Sequence, residues 1–211
     1  MMSLRILIPR SNILPMKQKI LPFTCCLFAV SVLCGGCGIF SEPSYTPVRS
    51  YDLVAPASVV TGDYNVSVQP FTSESAAKFK MLTRSGVELF HDEFNRWSQT
   101  PAVLLTRYCR MAFADDAPVD SKKSLPSYDL SGSVLVFEAD LKTKTAQLCV
   151  RYTITDQNNG SILRSGVLHY TVPLKKDGAF SEAFAEAMST AAKQMVTELA
   201  GMMKDLSTKK K

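Results

Sequence analysis

The chain has 211 residues, which is enough for one domain with a substantial hydrophobic core and too few for two domains of ordinary size. Its 24 Lys and Arg residues outnumber its 19 Asp and Glu residues, giving a formal charge of +5. Residues 1–36 contain four of the cations and no acid, so the rest of the chain carries 20 basic and 19 acidic residues. A nearly neutral chain without a basic face argues against a nucleic acid as the partner.

The first 36 residues have the pattern of a secretory signal. After Met16, two lysines precede an apolar run over 20–33, and two glycines then precede Cys37. A charged, an apolar and a small-residue region in this order are typical of a signal peptide. The run has 14 residues, whereas a membrane-spanning helix needs about 20. We expect the signal peptide to end at residue 36 and to be removed. We also expect Met16 to be the true start of translation.

The end of this signal resembles that of bacterial lipoproteins, whose motif is Leu, Ala or Ser, Gly or Ala, and then the lipidated Cys. The sequence here is Cys34-Gly35-Gly36-Cys37, which matches at the small residues and departs from the motif at Cys34. Cys34 itself follows Leu33, a poor cleavage position, so the resemblance implies that Cys37 carries the lipid, palmitate included. A Cys-x-x-Cys zinc or redox motif lacks support, because the chain has two His residues and no second such pair.

Cys109 and Cys149 are the cysteines that remain once the signal has left and Cys37 is lipidated. In an oxidising compartment these two thiols can pair as a disulfide. Two free cysteines that act as small core residues are the alternative. The sequence leaves both open.

The mature chain is predicted to begin with a tether. Residues 37–50 contain Ser, Pro and charged residues without periodicity, and such a segment spans at most about 40 Å when extended. A folded domain is predicted over 51–206, followed by a basic tail at 207–211. Alternating apolar and polar residues predict an early strand within 63–71, and a further strand is predicted over 85–90.

A helix is predicted to begin at Pro101. Thr100 is a suitable capping residue, and proline is tolerated at the first helical position. Apolar residues at three- and four-residue spacing then define one face of this helix: Leu104, Leu105, Tyr108, Met111 and Ala112. The next segment, 114–127, is polar and contains two prolines, and we expect a loop there.

The clearest pattern is that of a three-strand meander. Strands are predicted over 128–141, 146–155 and 162–172, and the turn between the last two contains Asn159-Gly160, a strong hairpin signal. Alternation in the middle strand predicts one apolar face: Leu148, Val150, Tyr152 and Ile154.

A long amphipathic helix is predicted after Asp177-Gly178, and its apolar stripe should cover one face of the sheet. The stripe consists of Phe180, Phe184, Ala187, Met188, Ala191, Met195, Leu199, Met202 and Leu206. The chain order is strands, a helix, a meander and a second helix. This order predicts an α+β fold in which two amphipathic helices pack on an antiparallel sheet.

The search for chemistry finds no catalytic, cofactor or metal motif. His91 stands beside Asp92 and Glu93 but lacks the second His, four positions on, that a zinc helix requires. His169 is predicted to be a partly exposed strand residue. The chain has neither a Gly-x-Ser-x-Gly nucleophile motif nor a glycine-rich phosphate loop. We therefore expect a protein that is not an enzyme and holds no cofactor or metal.

Two other features have structural interpretations. The adjacent acids Asp115 and Asp116 are expected to be solvated loop residues. Trp97, the only tryptophan, is expected to pack at the entry of the first helix, with a ligand-facing position as the alternative.

Taken together, the segments resemble the ABC-type transport auxiliary lipoprotein family of the PqiC/YmbA type. In chain order, the shared features are the lipidation motif, a short tether, a Tyr-x-Leu-x-x-Pro start at Tyr51, "FNRWSQTP" before the first helix, "LSGSVLVFEAD" over 130–140, and the final hairpin and helix. The resemblance covers most of residues 51–206. The sequence departs from the family at "SYDL", where an aromatic pair before the Leu is common.

The resemblance implies a non-catalytic accessory subunit that maintains envelope integrity. It would work with an MCE-domain protein and an ABC permease and ATPase, which move lipids between the two bacterial membranes. The lipid on Cys37 would attach it to a membrane. Gly38 follows that cysteine, whereas Asp is the usual inner-membrane retention signal in enteric bacteria, so we expect the outer membrane, facing the periplasm. A homo-oligomer is left open.

Three other functions are left open by the sequence. An assembly lipoprotein of the lipopolysaccharide-export type is also a small α+β lipoprotein with two helices, and a neighbouring gene for a barrel partner would favour it. A small-ligand binding lipoprotein, or a hydrolase, would need a deep pocket lined by convergent polar groups, which a sequence cannot display.

Overall fold

The structure is a computed structural model that describes residues 45–75, 77–114 and 125–209. Within these ranges the chain forms an α+β fold, which confirms the predicted class. The elements are β1 Arg49–Tyr51, β2 Asn65–Val68, β3 Thr72–Ser73, β4 Lys80–Ser85, β5 Glu88–Trp97, α1 Pro101–Phe113, β6 Ser127–Asp140, β7 Thr145–Asp156, β8 Ile162–Pro173 and α2 Phe180–Lys209. Neither of these two helices combines the length and the apolar character that crossing a bilayer requires.

Several predicted features lie outside the described residues. These are the signal peptide at 1–36, the lipidation residue Cys37, most of the tether, the acids Asp115 and Asp116, and the last two residues of the basic tail. The described residues from Thr46 onward belong to one compact unit.

The strands form one mixed sheet in the order β1-β5-β4-β6-β7-β8. The pairs β4–β5, β6–β7 and β7–β8 are antiparallel, as predicted, but β1 runs parallel to β5. The other edge of β6 pairs with β2, β3 and β4 in succession, and all three run parallel to β6. The sheet is therefore mixed, with the expected antiparallel pairs and additional parallel ones. The sequence did not reveal the parallel pairs, because side chains alternate in the same way in parallel and antiparallel strands.

The meander of β6, β7 and β8 matches the predicted strands to within a residue or two at each end. β6 and β7 pair from Tyr128 opposite Asp156 to Asp140 opposite Thr145. Gly160 adopts a positive φ of 69° in the turn between β7 and β8, and its amide donates to the Asp156 carbonyl over 2.8 Å. A glycine accommodates this backbone without strain. The predicted apolar face of β7 is buried throughout.

The strand predicted over 85–90 is instead the turn of a hairpin. β4 ends at Ser85, Gly86 and Val87 form the turn with Gly86 at a φ of 67°, and β5 begins at Glu88. The residues on either side of the turn alternate well enough to resemble one continuous strand. A two-residue turn with a glycine at positive φ explains why the chain reverses there.

α1 begins at Pro101, as predicted, but the Thr100 side chain makes no capping hydrogen bond. Proline at the first turn therefore defines this start, because its missing N–H needs no partner there. Met111, predicted to lie on the apolar face, is exposed, because it lies one turn beyond the exposed Arg107. Cys109 is fully buried on the face that packs against the sheet.

α2 follows the predicted stripe closely, and the stripe residues between Phe184 and Met202 are buried, whereas Phe180 at its start is exposed. Both helices share one hydrophobic core with the sheet. Trp97 lies at the centre of that core, with its ring edge-on to Phe137 of β6 and Phe184 of α2 at centroid distances of 5.0 and 5.3 Å. This confirms the packing role expected for Trp97.

Candidate functional site

The two histidines considered for chemistry lie on strands at different ends of the sheet. His91 is exposed on β5 and His169 is exposed on β8, where it pairs with Cys149 of β7. Because β5 and β8 are separated by three strands in the sheet order, the two imidazoles do not form a common site. Within the described ranges, no group of three His, Cys, Asp or Glu side chains is arranged to hold a metal ion.

Cys109 and Cys149 are free thiols in the structure. Cys109 belongs to the core, and burial raises the pKa of its thiol to about 12. Cys149 is half-buried on β7 between Leu148 and Val150, whose side chains lie in the core, so its own side chain is on the opposite face of the sheet. The fold therefore does not bring together the two cysteines that the sequence allowed to pair.

Arg84 and Glu138 form a partly buried ion pair between β4 and β6. The arginine Nε donates to Glu138 Oε1, and its Nη2 donates to Oε2 over 3.1 Å. The glutamate side chain is only 7% exposed and the arginine side chain 34%. Such a two-pronged contact fixes the relative position of the two strands and satisfies a carboxylate that would otherwise be buried alone. The pair has a structural role.

A surface groove of about 680 Å³ lies beside the β4–β5 hairpin. Its walls combine apolar and charged residues: Val48, Ala77, Lys78, Phe79, Lys80, His91, Asp92, Glu93 and Arg96. Lys80 and Glu93 pair across the groove over 2.9 Å. Lys78 adopts a positive φ of 38°, which is uncommon for a residue other than glycine and turns the chain into β4.

Asp92 shapes the rim of this groove from within β5. Its Oδ1 accepts hydrogen bonds from the amides of Phe94 and Asn95, each over 2.9 Å, and its Oδ2 accepts one from the Asn95 side chain over 2.8 Å. The pairing of β4 with β5 shifts register in this region, between Lys80 and Leu82. The result is a bulge that re-aims the β5 side chains where the strand leaves its partner.

The outer side of β5 is open over most of its length. β1 pairs only with Asn95, Arg96 and Trp97, so residues 88–94 have no strand beyond them among the described residues. Large exposed apolar side chains lie along the β4–β5 hairpin, from Val87 in its turn to Phe79 next to Trp97, and are between 41% and 94% exposed: Phe79, Val87, Leu89, Phe90 and Phe94. We name these five residues the apolar edge. Several exposed apolar side chains on one element are a feature of surfaces that bind a partner.

The sequence contained a signal for the apolar edge that the search for chemistry missed. Leu89 and Phe90 are consecutive, and consecutive residues of a strand point to opposite faces. A strand at the margin of the sheet cannot bury both faces under helices that cover one side. Attention to His91 and its acidic neighbours therefore selected residues that carry no common chemistry and overlooked the exposed aromatic residues around them.

Comparison with known protein families shows which family the chain belongs to. A family model described as the ABC-type transport auxiliary lipoprotein component matches residues 52–200, which is most of the chain. The chain belongs to this family. Its members are accessory lipoproteins of ABC-type transport systems, which places this protein among lipid-anchored components of the cell envelope. A comparison with curated proteins found no significant match.

Solved structures share the fold at low sequence identity. Protein XCC0632 from Xanthomonas campestris, of the family DUF330, is 18% identical with a TM-score of 0.53, over 78% of this chain and 93% of its own. A second structure, of an uncharacterized protein, is 12% identical with a TM-score of 0.54, over 72% of this chain and 99% of its own. At these identities the likeness concerns the fold alone.

Proposed function

We propose that this auxiliary lipoprotein is a non-catalytic accessory subunit of an MCE/ABC-type system that transports lipids between the two membranes of the envelope. The observation that carries this proposal is the family match over residues 52–200, in a chain whose fold agrees with the order of elements that the resemblance implied. The auxiliary role in ABC-type transport belongs to the family, and the MCE-domain partner is the specific step that we add.

The non-catalytic role is supported by what the buried reactive groups do in the fold. Glu138 is held by Arg84 between two strands, and the Cys109 thiol is enclosed in the core with a raised pKa. A thiol in that state is a poor nucleophile at neutral pH. The β4–β5 hairpin exposes several large apolar side chains, which suits contact with a partner rather than turnover of a polar substrate.

Membrane attachment through Cys37 is part of the proposal. This cysteine follows a signal-like segment, and the compact unit begins at Thr46, nine positions later. We propose that the lipid holds the protein at the outer membrane with the folded unit in the periplasm, because Gly38 lacks the acid that retains lipoproteins in the inner membrane.

The partner is tested by affinity purification of the mature, lipidated chain from native envelopes. We expect an MCE-domain protein, with its permease and ATPase, to be recovered at levels comparable with the bait. A Phe184→Ala variant, which weakens the core without changing the surface, controls for capture by unfolded chains. Recovery of a barrel protein in place of any MCE-domain protein would overturn the proposal in favour of an assembly lipoprotein.

The anchor is tested by labelling with a palmitate analogue and by fractionation. Cys37→Ala should abolish labelling and release the protein from the membrane, whereas Cys34→Ala should leave both unchanged. Loss of labelling only in the Cys34→Ala variant, or residence of the wild type in the inner membrane, would contradict the proposed anchor or its location.

A further inference from the structure

We propose that the apolar edge rests on the surface of the lipid bilayer to which the chain is anchored, so that the sheet stands edge-on to the membrane. This inference rests on the lipid anchor of the proposed function and adds the surface through which the folded unit meets the lipid. It concerns the five residues of the apolar edge and the charged groove residues beside them.

The place where the tether joins the fold supports this occupant. Thr46 and Pro47 line a surface groove together with Phe94 and Phe180, and Val48 lines the neighbouring groove. The chain therefore enters its compact unit directly beside the apolar edge. Cys37 and Thr46 are nine positions apart, and nine residues span at most about 30 Å. A lipid on Cys37 thus holds the start of the compact unit, and the edge beside it, within about 30 Å of the anchor.

The composition of the edge suits the interfacial region of a bilayer. Three phenylalanines, Phe79, Phe90 and Phe94, are each about half exposed, and Val87 at the hairpin tip is 94% exposed. Aromatic and aliphatic side chains of this size partition into the boundary between headgroups and acyl chains. They occupy both faces of the hairpin, as an edge-on orientation requires.

The charges next to the edge favour lipid headgroups. Lys78 and Arg96 line the groove and are exposed, and cations near a bilayer are attracted to anionic lipids. The two acids of the same groove are engaged within the protein: Glu93 pairs with Lys80, and Asp92 accepts the hydrogen bonds of the β5 bulge. Glu88, between Val87 and Leu89, is exposed as well, so the surface facing the membrane combines apolar side chains with charges of both signs.

The opposite edge of the sheet provides a matched control. β8 is the last strand in the sheet order, and its Val167 is 56% exposed, comparable with Phe90 on β5. Four strand spacings separate β5 from β8, or about 19 Å along the sheet. A probe on β8 should therefore remain outside the acyl region when a probe on β5 reaches it.

The test uses tryptophan fluorescence and vesicles of phosphatidylethanolamine and phosphatidylglycerol with brominated acyl chains. The chain from Gly38 carries an N-terminal oligohistidine tag in place of the natural lipid and is held by nickel-chelating lipids. This chain contains every residue of the hydrophobic core, all of which lie between Tyr51 and Leu206. Phe90→Trp and Val167→Trp are compared with the wild type, in which Trp97 is buried and supplies a constant background.

We expect brominated acyl chains to reduce the added emission of Phe90→Trp by about twofold or more and to leave that of Val167→Trp unchanged. Equal quenching of both probes, or quenching of Val167→Trp alone, would overturn the inference. Absence of quenching at Phe90→Trp in a protein that is bound to the vesicles would overturn it as well. Because the tag replaces the natural lipid, this result does not depend on the recovery of an MCE-domain partner, which tests the proposed function separately.

Discussion

At the scale of single residues, the ion pair of Arg84 and Glu138 predicts an unequal response to substitution. Arg84→Met leaves the carboxylate of Glu138 buried without a partner, and we expect a loss of about 2–3 kcal/mol in the free energy of unfolding, below the upper range for buried pairs because the arginine is partly exposed. Replacing both residues, as Met and Leu, removes the buried charge and should cost about 1 kcal/mol or less. Urea unfolding of the wild type, the two single variants Arg84→Met and Glu138→Leu, and the double variant measures this order.

Additive effects of the two substitutions would contradict this prediction. If the double variant were as unstable as the sum of the two single variants, Arg84 and Glu138 would contribute independently and the pair would not be the unit that joins β4 to β6. Lys80→Met serves as a control, since its partner Glu93 is exposed and such surface pairs contribute less than about 1 kcal/mol.

Cys109 predicts a loss of stability at alkaline pH. Its ordinary pKa is near 9.0, and burial raises the pKa to about 12 in the folded state. Between these values the unfolded chain has lost the thiol proton and the folded chain retains it. The stabilisation is thus complete below about pH 9 and is lost as pH rises towards 12. In Cys109→Ala the free energy of unfolding should fall less steeply, by up to about 1.4 kcal/mol per pH unit.

Urea midpoints measured at intervals from pH 8 to pH 11 test this difference. Burial also raises the pKa of Tyr64, Tyr108 and Tyr170, so both proteins should still lose stability at high pH. The difference between the two slopes of unfolding free energy against pH is the contribution of the Cys109 thiol. Parallel profiles for the wild type and Cys109→Ala would show that Cys109 titrates alike in both states.

At the scale of elements, two glycines predict opposite effects of the same substitution. A Cβ on Gly132 of β6 would lie 3.0 Å from both the Arg151 carbonyl oxygen and the Phe71 ring, so Gly132→Ala should cost about 1–3 kcal/mol. A Cβ on Gly201 of α2 would meet nothing within 4 Å, and Gly201→Ala should stabilise by about 0.5–1 kcal/mol. Thermal unfolding shows whether each variant is more or less stable than the wild type. An unchanged stability of Gly132→Ala would show that the Phe71 ring moves aside freely.

The elements also show which parts of the fold a sequence reveals. The meander of β6 to β8 was predictable, because its middle strand β7 alternates along its length and Asn159-Gly160 marks the turn. α2 was predictable for the same kind of reason, since its stripe repeats along most of its 30 residues. A long strand or helix with a regular apolar pattern can therefore be recognised from its own sequence.

The short strands depend on partners that are distant in sequence. β2 and β3 have four and two residues, and they exist because β6 offers them an edge to pair with in parallel. No local pattern specifies that pairing. The apolar edge was predictable only in part: the consecutive Leu89 and Phe90 indicate that apolar side chains lie on both faces of β5, but the sequence of β5 does not show which strand lies beyond it.

At the scale of the whole molecule, the hydrophobic core and the apolar edge lie in different parts of the fold. α1 and α2 share one core with the sheet, and Trp97 lies where β6 and α2 meet. Between Val87 and Phe94 the margin that carries β1 and β5 keeps its large apolar side chains outside that core, whereas Trp97 at the end of β5 belongs to it. The stability of the unit and its interactions thus depend on different residues, so the edge can be altered without unfolding the protein.

This arrangement predicts that the compact unit unfolds as a single body. Because Trp97 contacts both Phe137 of the sheet and Phe184 of α2, its fluorescence should change in the same urea range as the far-UV circular dichroism of the helices. Phe184→Ala should lower both midpoints together, with a loss of about 3–5 kcal/mol, because it opens a cavity between the two layers. If the fluorescence changed at lower urea than the dichroism, α2 would separate from the sheet before the rest unfolds, and the core would consist of two units rather than one.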